Sequence, residues 1–247
     1  MGEELHGLPP ELWAVMARRG LRDPASLAAL LDPPEPPDPS SQFPDLEKAV
    51  DRLARAASQG ESVAICGDYD ADGMTSTALL TALLQRLGAR PQPAIPSRQE
   101  EGYGLNRPMV ERLADSGVRL LVTVDNGVSA QEALERAAAL GLDIILTDHH
   151  TLPEASPPCL ALLHPALTPP DSPYRGLAGV GLAYVLASAL AQRLARRDGM
   201  EMALELFCIG TIADMAPLYG VNRRWLREGL PLLARTRLAG LRALIRL

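Results

Sequence analysis

Three short stretches of this 247-residue chain concentrate residue types that do chemistry. Asp68-Tyr69-Asp70-Ala71-Asp72-Gly73 follows the apolar run SVAIC (62–66) and Gly67. Asp125-Asn126-Gly127 follows RLLVTV (119–124), and Asp148-His149-His150 follows DIILT (143–147). Each cluster lies just past a segment that reads as a buried strand. In open α/β sheets, ligands bind in the crevice at the carboxyl ends of the strands. Three separated segments would thus deliver five aspartates and two histidines to one rim. Carboxylates in that number repel one another and lose hydration when they converge. Divalent cations are the simplest counter-charge. Oxygen-rich ligation with one or two imidazoles suits manganese or magnesium better than zinc. Paired ions in turn suit in-line displacement at phosphorus. Asp214, in the otherwise apolar GTIADMAPL (210–218), is either a helix-end cap or a further ligand.

Taken singly, these clusters have plainer readings. Asp72-Gly73 and Asn126-Gly127 are common turn pairs. It is their recurrence at three matching strand ends, one with adjacent imidazoles, that points to a metal site. His6 and His164 have no such context and read as surface or packing residues. Cys159 and Cys208 read as buried small apolar residues.

The elements that must position these clusters alternate along the chain. Strands are predicted at 62–66, 91–95, 119–124, 143–147 and 160–163. Helices are predicted at 46–57, 73–87, 108–115 and 129–140. Such alternation argues for an α/β fold, a parallel sheet flanked by helices on both faces. Before it, 11–19 and 24–31 read as short helices, the second opened by Asp23-Pro24 as N-cap and first helical position. Residues 32–44 hold six of the 22 prolines and read as an extended connector. After Gly179 the pattern is helical nearly to the end, broken near Gly199, Pro217 and Gly220.

Composition narrows the class. Hydrophobic residues make up 47% and charged residues 22%, a globular balance that excludes overall disorder. Three cysteines are too few for a disulfide scaffold and fit a reducing, cytoplasmic setting. MGEELHGLPP lacks the basic and apolar regions of a signal peptide. The uncharged stretch 176–192 is too short for a membrane span and reads as a buried helix. A net charge of −6 argues against a nucleic-acid binder unless the acidic residues serve a metal site.

The motifs GDYDADGMTSTALL (67–80), PSRQEEGYGL (96–105), VTVDNGVS (122–129), ILTDHH (145–150), GLAGVGLAYVL (176–186) and GTIADMAPL resemble, in order, those of the DHH phosphoesterase superfamily. Within it they are most similar to the RecJ-like single-strand-specific 5′→3′ exonucleases. The resemblance covers nearly the whole chain. It implies metal-dependent hydrolysis of single-stranded DNA from the 5′ end, releasing 5′-mononucleotides, in DNA repair and recombination. It also implies two Mn²⁺ or Mg²⁺ ions, single-stranded DNA and other repair proteins as partners, and no membrane. Asp72, Asp125, His149 and Asp214 match the ligands of one ion. Asp70 and Asp125 match those of the second, with Asp125 bridging and Asp68 close by. His150 matches a contact to the scissile phosphate, and Arg98 one to the 5′-terminal phosphate, a task suited to a planar guanidinium. Gly102, Tyr103 and Gly104 would shape the same opening. Cys66 stands where many relatives carry a histidine, and it reads as a neutral buried thiol.

On this basis residues 1–44 form a helical and Pro-rich leading segment. Residues 45–220 form the phosphoesterase domain, and 221–247 begin a connection to a second domain beyond Leu247. Two other readings exist: a phosphoesterase for short oligonucleotides or cyclic dinucleotides, and an inactive DNA-binding scaffold. DYDADG and EGYGL favour the exonuclease over the first, and the intact acidic motifs argue against the second.

Overall fold

The structure, a computed structural model, describes residues 9–99 and 101–246, so the expectation for His6 falls outside it. Five parallel strands form one sheet: β1 (Ser62–Cys66), β2 (Arg90–Ala94), β3 (Leu120–Val124), β4 (Asp143–Thr147) and β5 (Ala161–Leu163), in the order β2-β1-β3-β4-β5. The order reverses direction between β1 and β3. A crevice opens at that switch point, beyond the carboxyl ends of both strands. β3 (LLVTV) is buried at every position, as a central strand covered on both faces must be.

Helices α3 (Leu46–Gln59), α4 (Ala71–Leu87) and α7 (Gly179–Arg193) cover one face and bury Leu53, Leu83 and Leu186 against Val63, Ile65 and Val122. Helices α5 (Arg107–Asp115) and α6 (Gln131–Ala139) cover the other, packing Met109, Val110 and Leu134 on Ala64, Leu121 and Ile144. Alternate residues of β1, β3, β4 and β5 therefore feed separate cores, as the two-residue period of a strand dictates. Helices α8 (Ala203–Ala213) and α9 (Gly220–Leu233) stack outside α4 and α7, and α10 (Ala239–Leu244) follows. The uncharged stretch at 176–192 is mostly α7, and no helix among the described residues is long and apolar enough to cross a membrane.

The expected elements are present with shifted ends. β2 starts one residue early and carries Pro91 and Pro93, which an edge strand tolerates because one side of it needs no N–H donor. α4 starts at Ala71 because the Asp70 carboxylate caps it, accepting from the Gly73 amide at 3.0 Å. Asp72 thus sits in the first helical turn, not in a reverse turn.

The short helices α1 (Pro10–Arg18) and α2 (Pro24–Leu31) precede the Pro-rich segment, and Asp23 caps α2 through the Ser26 amide at 2.8 Å. The Tyr174 hydroxyl donates to the Pro37 carbonyl at 2.8 Å, and Tyr174 packs edge-on against Phe43. Three arginines of α9 reach back: Arg223 and Arg227 donate to the Leu30 and Leu31 carbonyls at the carboxyl end of α2, and Arg224 donates to Pro33 at 3.0 Å. Cations at a helix carboxyl terminus meet the negative end of its dipole.

α8 reaches the crevice because it crosses α4 at a glycine. A β-carbon on Gly210 would lie 2.4 Å from Thr75 Oγ1 and 2.9 Å from Asp72 Oδ1. We predict that Gly210→Ala lowers the melting temperature, the overpacking cost of about 1–3 kcal/mol exceeding the gain in helix propensity. Gly240→Ala, in α10 with open space around it, should leave it unchanged or raise it. Thermal unfolding of the two variants checks both.

Candidate metal centre

Each acidic segment reaches the crevice by its own local device. Asp68 follows β1, is fully buried, and accepts from the Asp70 amide at 3.2 Å, while its Oδ2 has no partner. Asp72 turns into the interface with α7, where Oδ2 accepts from the Gly179 amide and Oδ1 from the Val180 amide, both at 2.7 Å. These are free amides of the first turn of α7, which favour negative charge. Asp125 follows β3 with φ +62°, a left-handed conformation uncommon outside glycine. A β-carbon on Gly179 would fall 2.5 Å from Asp125 Cβ, so this approach of α7 requires glycine.

Asn126 fastens the ends of β1 and β3. Its Nδ2 donates to the Cys66 carbonyl at 3.0 Å and the Val124 carbonyl at 2.9 Å, and its Oδ1 accepts from the Leu105 amide at 3.0 Å. The Asn-Gly pair is thus a tie between strands as well as a turn.

Asp148 is buried after β4 and accepts from the Val128 amide at 2.9 Å, the His150 amide at 3.0 Å and His150 Nδ1 at 2.8 Å. Burial pushes its carboxyl up, but these hydrogen bonds outweigh that and hold it below the ordinary range. The hydrogen bond from Nδ1 to Asp148 is the main cause that pushes the His150 imidazole up to about 9. His149 Nε2 lies 2.9 Å from Asp125 Oδ1, 3.8 Å from Asp72 Oδ2 and 3.9 Å from Asp214 Oδ1. Asp125 Oδ1 nonetheless accepts no hydrogen bond.

Ligand-type atoms fall into overlapping groups, each within 4.8 Å: Asp72, His149 and Asp214; Asp68, Asp70 and Asp125; and Asp125, His149 and His150. Asp214, at the end of α8, therefore faces the cluster in addition to closing a helix. Burial first, and then neighbouring carboxylates, push Asp72 and Asp125 up to about 8. Burial raises Asp68 and Asp214 as well. Cys66 joins none of these groups: it packs in the smaller core, where burial pushes its thiol up to about 12.

Arg98, an exposed loop residue, stands 5.3 Å from the centre of the Tyr69 ring, a cation–π contact. Tyr69 meets Tyr103 edge-on at 5.7 Å, and Tyr103 lies 6.4 Å from the His150 ring. The Tyr103 hydroxyl donates to the Asp125 carbonyl at 3.4 Å. Gly102 (φ +81°) and Gly104 (φ +66°) supply the left-handed turns that carry it there.

His164 is a packing residue, as one of its two readings had it: it is 3% exposed, its Nδ1 accepts from the Ala166 amide at 3.0 Å, and Nε2–H donates to the His150 carbonyl at 2.7 Å. It anchors the histidine pair, a role that a single histidine between LL and Pro does not advertise. Cys159 is half-buried, not buried, because it lies on the loop leading into β5; Cys208 is buried as expected. Nothing in the spacing of Tyr69 shows that its ring turns towards Tyr103.

Fold and site together define an α/β domain with a carboxylate- and imidazole-rich centre at the switch point of its sheet. The model of the DHH family, N-terminal domain, matches residues 62–211, and the chain belongs to the DHH family. It is 39% identical over 247 residues to the single-stranded-DNA-specific exonuclease RecJ of Bacillus subtilis, covering 99% of this chain and 30% of that protein. It is 36% identical over 234 residues to RecJ of Escherichia coli, covering 90% and 40%. The crystal structure of RecJ from Thermus thermophilus in complex with Mn²⁺ superposes with a TM-score of 0.79 at 35% identity, covering 97% of this chain and 34% of that one. The chain thus spans about a third of the length of these relatives.

Two outcomes follow from the electrostatics. Carboxyls raised to about 8 stabilise the metal-free fold fully below their ordinary value near ~4, and that stabilisation is lost as pH rises through 8. The melting temperature without metal should therefore fall from pH 5 to pH 8, and added Mn²⁺ should raise it more at pH 8 than at pH 5. Secondly, Asp148→Asn should return the His150 pKa from about 9 towards ~6.5, read from imidazole resonances in an NMR titration.

Proposed function

We propose that this chain is the catalytic part of a metal-dependent nuclease that removes 5′-mononucleotides from single-stranded DNA. One observation carries the reading: two ligand groups meet at Asp125, and buried oxygens of Asp68 and Asp125 accept no hydrogen bond. Carboxylate oxygens buried without a partner are costly unless a cation completes them. The donor set, chiefly carboxylate with imidazole, fits Mn²⁺ or Mg²⁺.

In this reading Asp72, Asp125, His149 and Asp214 hold one ion, and Asp68, Asp70 and Asp125 hold the other. Cations so bound act as Lewis acids on a phosphoryl oxygen and lower the pKa of water. The remaining work belongs to the chain. The α7 amides fix Asp72, and the left-handed Asp125 aims its carboxylate into the crevice. His150, oriented through Nδ1 by Asp148, donates to a non-bridging oxygen of the scissile phosphate and offsets the charge that grows there.

Water attacks phosphorus, the bond to the 3′ oxygen breaks, and that oxygen takes up a proton from His150 or solvent. The shortened strand keeps the phosphate as its new 5′ end. Arg98, steadied on Tyr69, registers the terminal 5′ phosphate. The relatives named for single-stranded-DNA-specific exonuclease activity support this choice of substrate. Action on DNA also fits a cytoplasmic location and work beside other repair proteins.

The test is a 5′-labelled single strand given to the protein with Mn²⁺. The wild type should release labelled mononucleotide, and Asp125→Ala should be slower by about 10²–10³-fold or more, the scale of losing a principal electrostatic stabiliser. Unchanged release by Asp125→Ala contradicts the assignment.

A further inference from the structure

Away from the metal centre, a groove of about 850 Å³ lies between the carboxyl end of α7, the start of α8 and the end of α9. α7 opens at Gly179 beside Asp125, and its 15 residues set the groove about 20 Å from that carboxylate. Tyr184, Ser188, Ala191 and Ala195 recur at helical spacing along one wall, and Met200, Leu204 and Leu232 form the other. Met200 and Leu204 are half-buried against the core, and Leu232 is 41% exposed.

The groove sits in the basic part of an acidic chain. Beyond Glu228 there are four arginines and no acidic residue, against a net charge of −6 for the whole. Arg197 stands on the groove wall, and Arg235 and Arg237 follow Leu232 within five residues. All three are exposed and form no ion pair among the described residues, whereas the neighbouring Arg193 is taken by Glu47 and Asp51, and Arg196 by Asp198. The carboxylate on the wall, Glu201, already accepts from the Gly199 amide at 2.8 Å.

These features choose among occupants. A second copy of this chain would offer α10, where Leu244 and Ile245 are 64% and 62% exposed, but Arg242 and Arg246 on the same segment repel the arginines of the groove. A nucleic-acid strand is held by open rings along a basic track. The ring in this groove, Tyr184, is instead packed against Phe207 and Trp225. A lipid surface does not follow a concave floor. An acidic peptide with apolar side chains satisfies both the floor and the free cations.

We infer that the groove between α7, α8 and α9 docks an acidic, apolar segment of a partner protein. Its apolar side chains lie on Leu204 and Leu232, and its carboxylates meet Arg197 and the arginines after α9. Amphipathic helices fill grooves in this way, through residues spaced three and four apart. The inference does not rest on the nuclease reading.

Selection from a phage-displayed library of random peptides on the full chain tests it, followed by anisotropy with synthetic copies of the selected peptides. They should combine aspartate or glutamate with leucine, methionine or phenylalanine. Leu232→Glu and Arg197→Glu should each weaken them at least tenfold, the first through faster dissociation and the second through slower association with a reduced dependence on salt. Leu12→Glu, an exposed apolar position on α1, should leave binding unchanged. Thermal unfolding establishes that each variant is folded, and Arg197→Glu, at a fully solvated side chain, decides the matter should Leu232→Glu not fold. Release of mononucleotide should be the same in all three variants and the wild type, which separates this site from the catalytic one. Failure to recover acidic peptides overturns the inference, as does equal binding to folded Leu232→Glu and Arg197→Glu. Displacement of the peptides by oligothymidylate or by phosphatidylserine vesicles assigns the groove to nucleic acid or lipid and overturns it too. So does a wild-type dimer in sedimentation that Leu232→Glu dissociates.

Discussion

The constraint on which the site depends is the cost of holding several carboxylates together away from water. Asp68, Asp72 and Asp125 are almost wholly buried, and Asp70 and Asp214 crowd them from the rim. Charged groups in that position repel one another and forfeit hydration. The fold meets part of this cost with fixed dipoles: two α7 amides on Asp72 and one backbone amide on Asp68. The remainder shows as carboxyls pushed above their usual range and as buried oxygens that accept no hydrogen bond. A domain that preserves such an arrangement is built around a counter-charge that it does not itself supply.

That constraint also accounts for details of the scaffold. Gly179 and Gly210 bring two helices so close that α7 and α8 touch the acidic cluster directly. Asn126 locks the ends of β1 and β3, so that Asp68 and Asp125 face each other across the switch point. Asp148 and His164 do the same for the histidine pair, through His150 Nδ1 and the His150 carbonyl. Backbone atoms and buried side chains outside the ligand groups thus determine where the ligands point, as outer-shell partners do in metal sites generally.

Much of this was legible in the sequence. The apolar runs before Asp68, Asp125 and Asp148 are unambiguous strands, and the placement of acidic groups at their ends follows from the geometry of parallel sheets. Asp214 was legible as an oddity in an apolar segment, and the family resemblance supplied its partners. The rest depends on contacts between residues far apart in the chain. The bonds from the α7 amides to Asp72 span over a hundred residues, and the His164 bond depends on how β5 lies beside β4. Tyr69 was hidden for a different reason: alternation along a loop does not fix side-chain direction as it does along a strand.

The central claim is that two cations share Asp125, and counting bound manganese tests it most directly. Equilibrium titration of the wild type, followed by calorimetry and by loss of the free-ion paramagnetic signal, should give two ions per chain. Asp70→Ala and Asp214→Ala should each retain one, and Asp125→Ala should weaken both. A wild-type chain that binds a single ion, or an Asp125→Ala variant that binds two with unchanged affinity, contradicts the account.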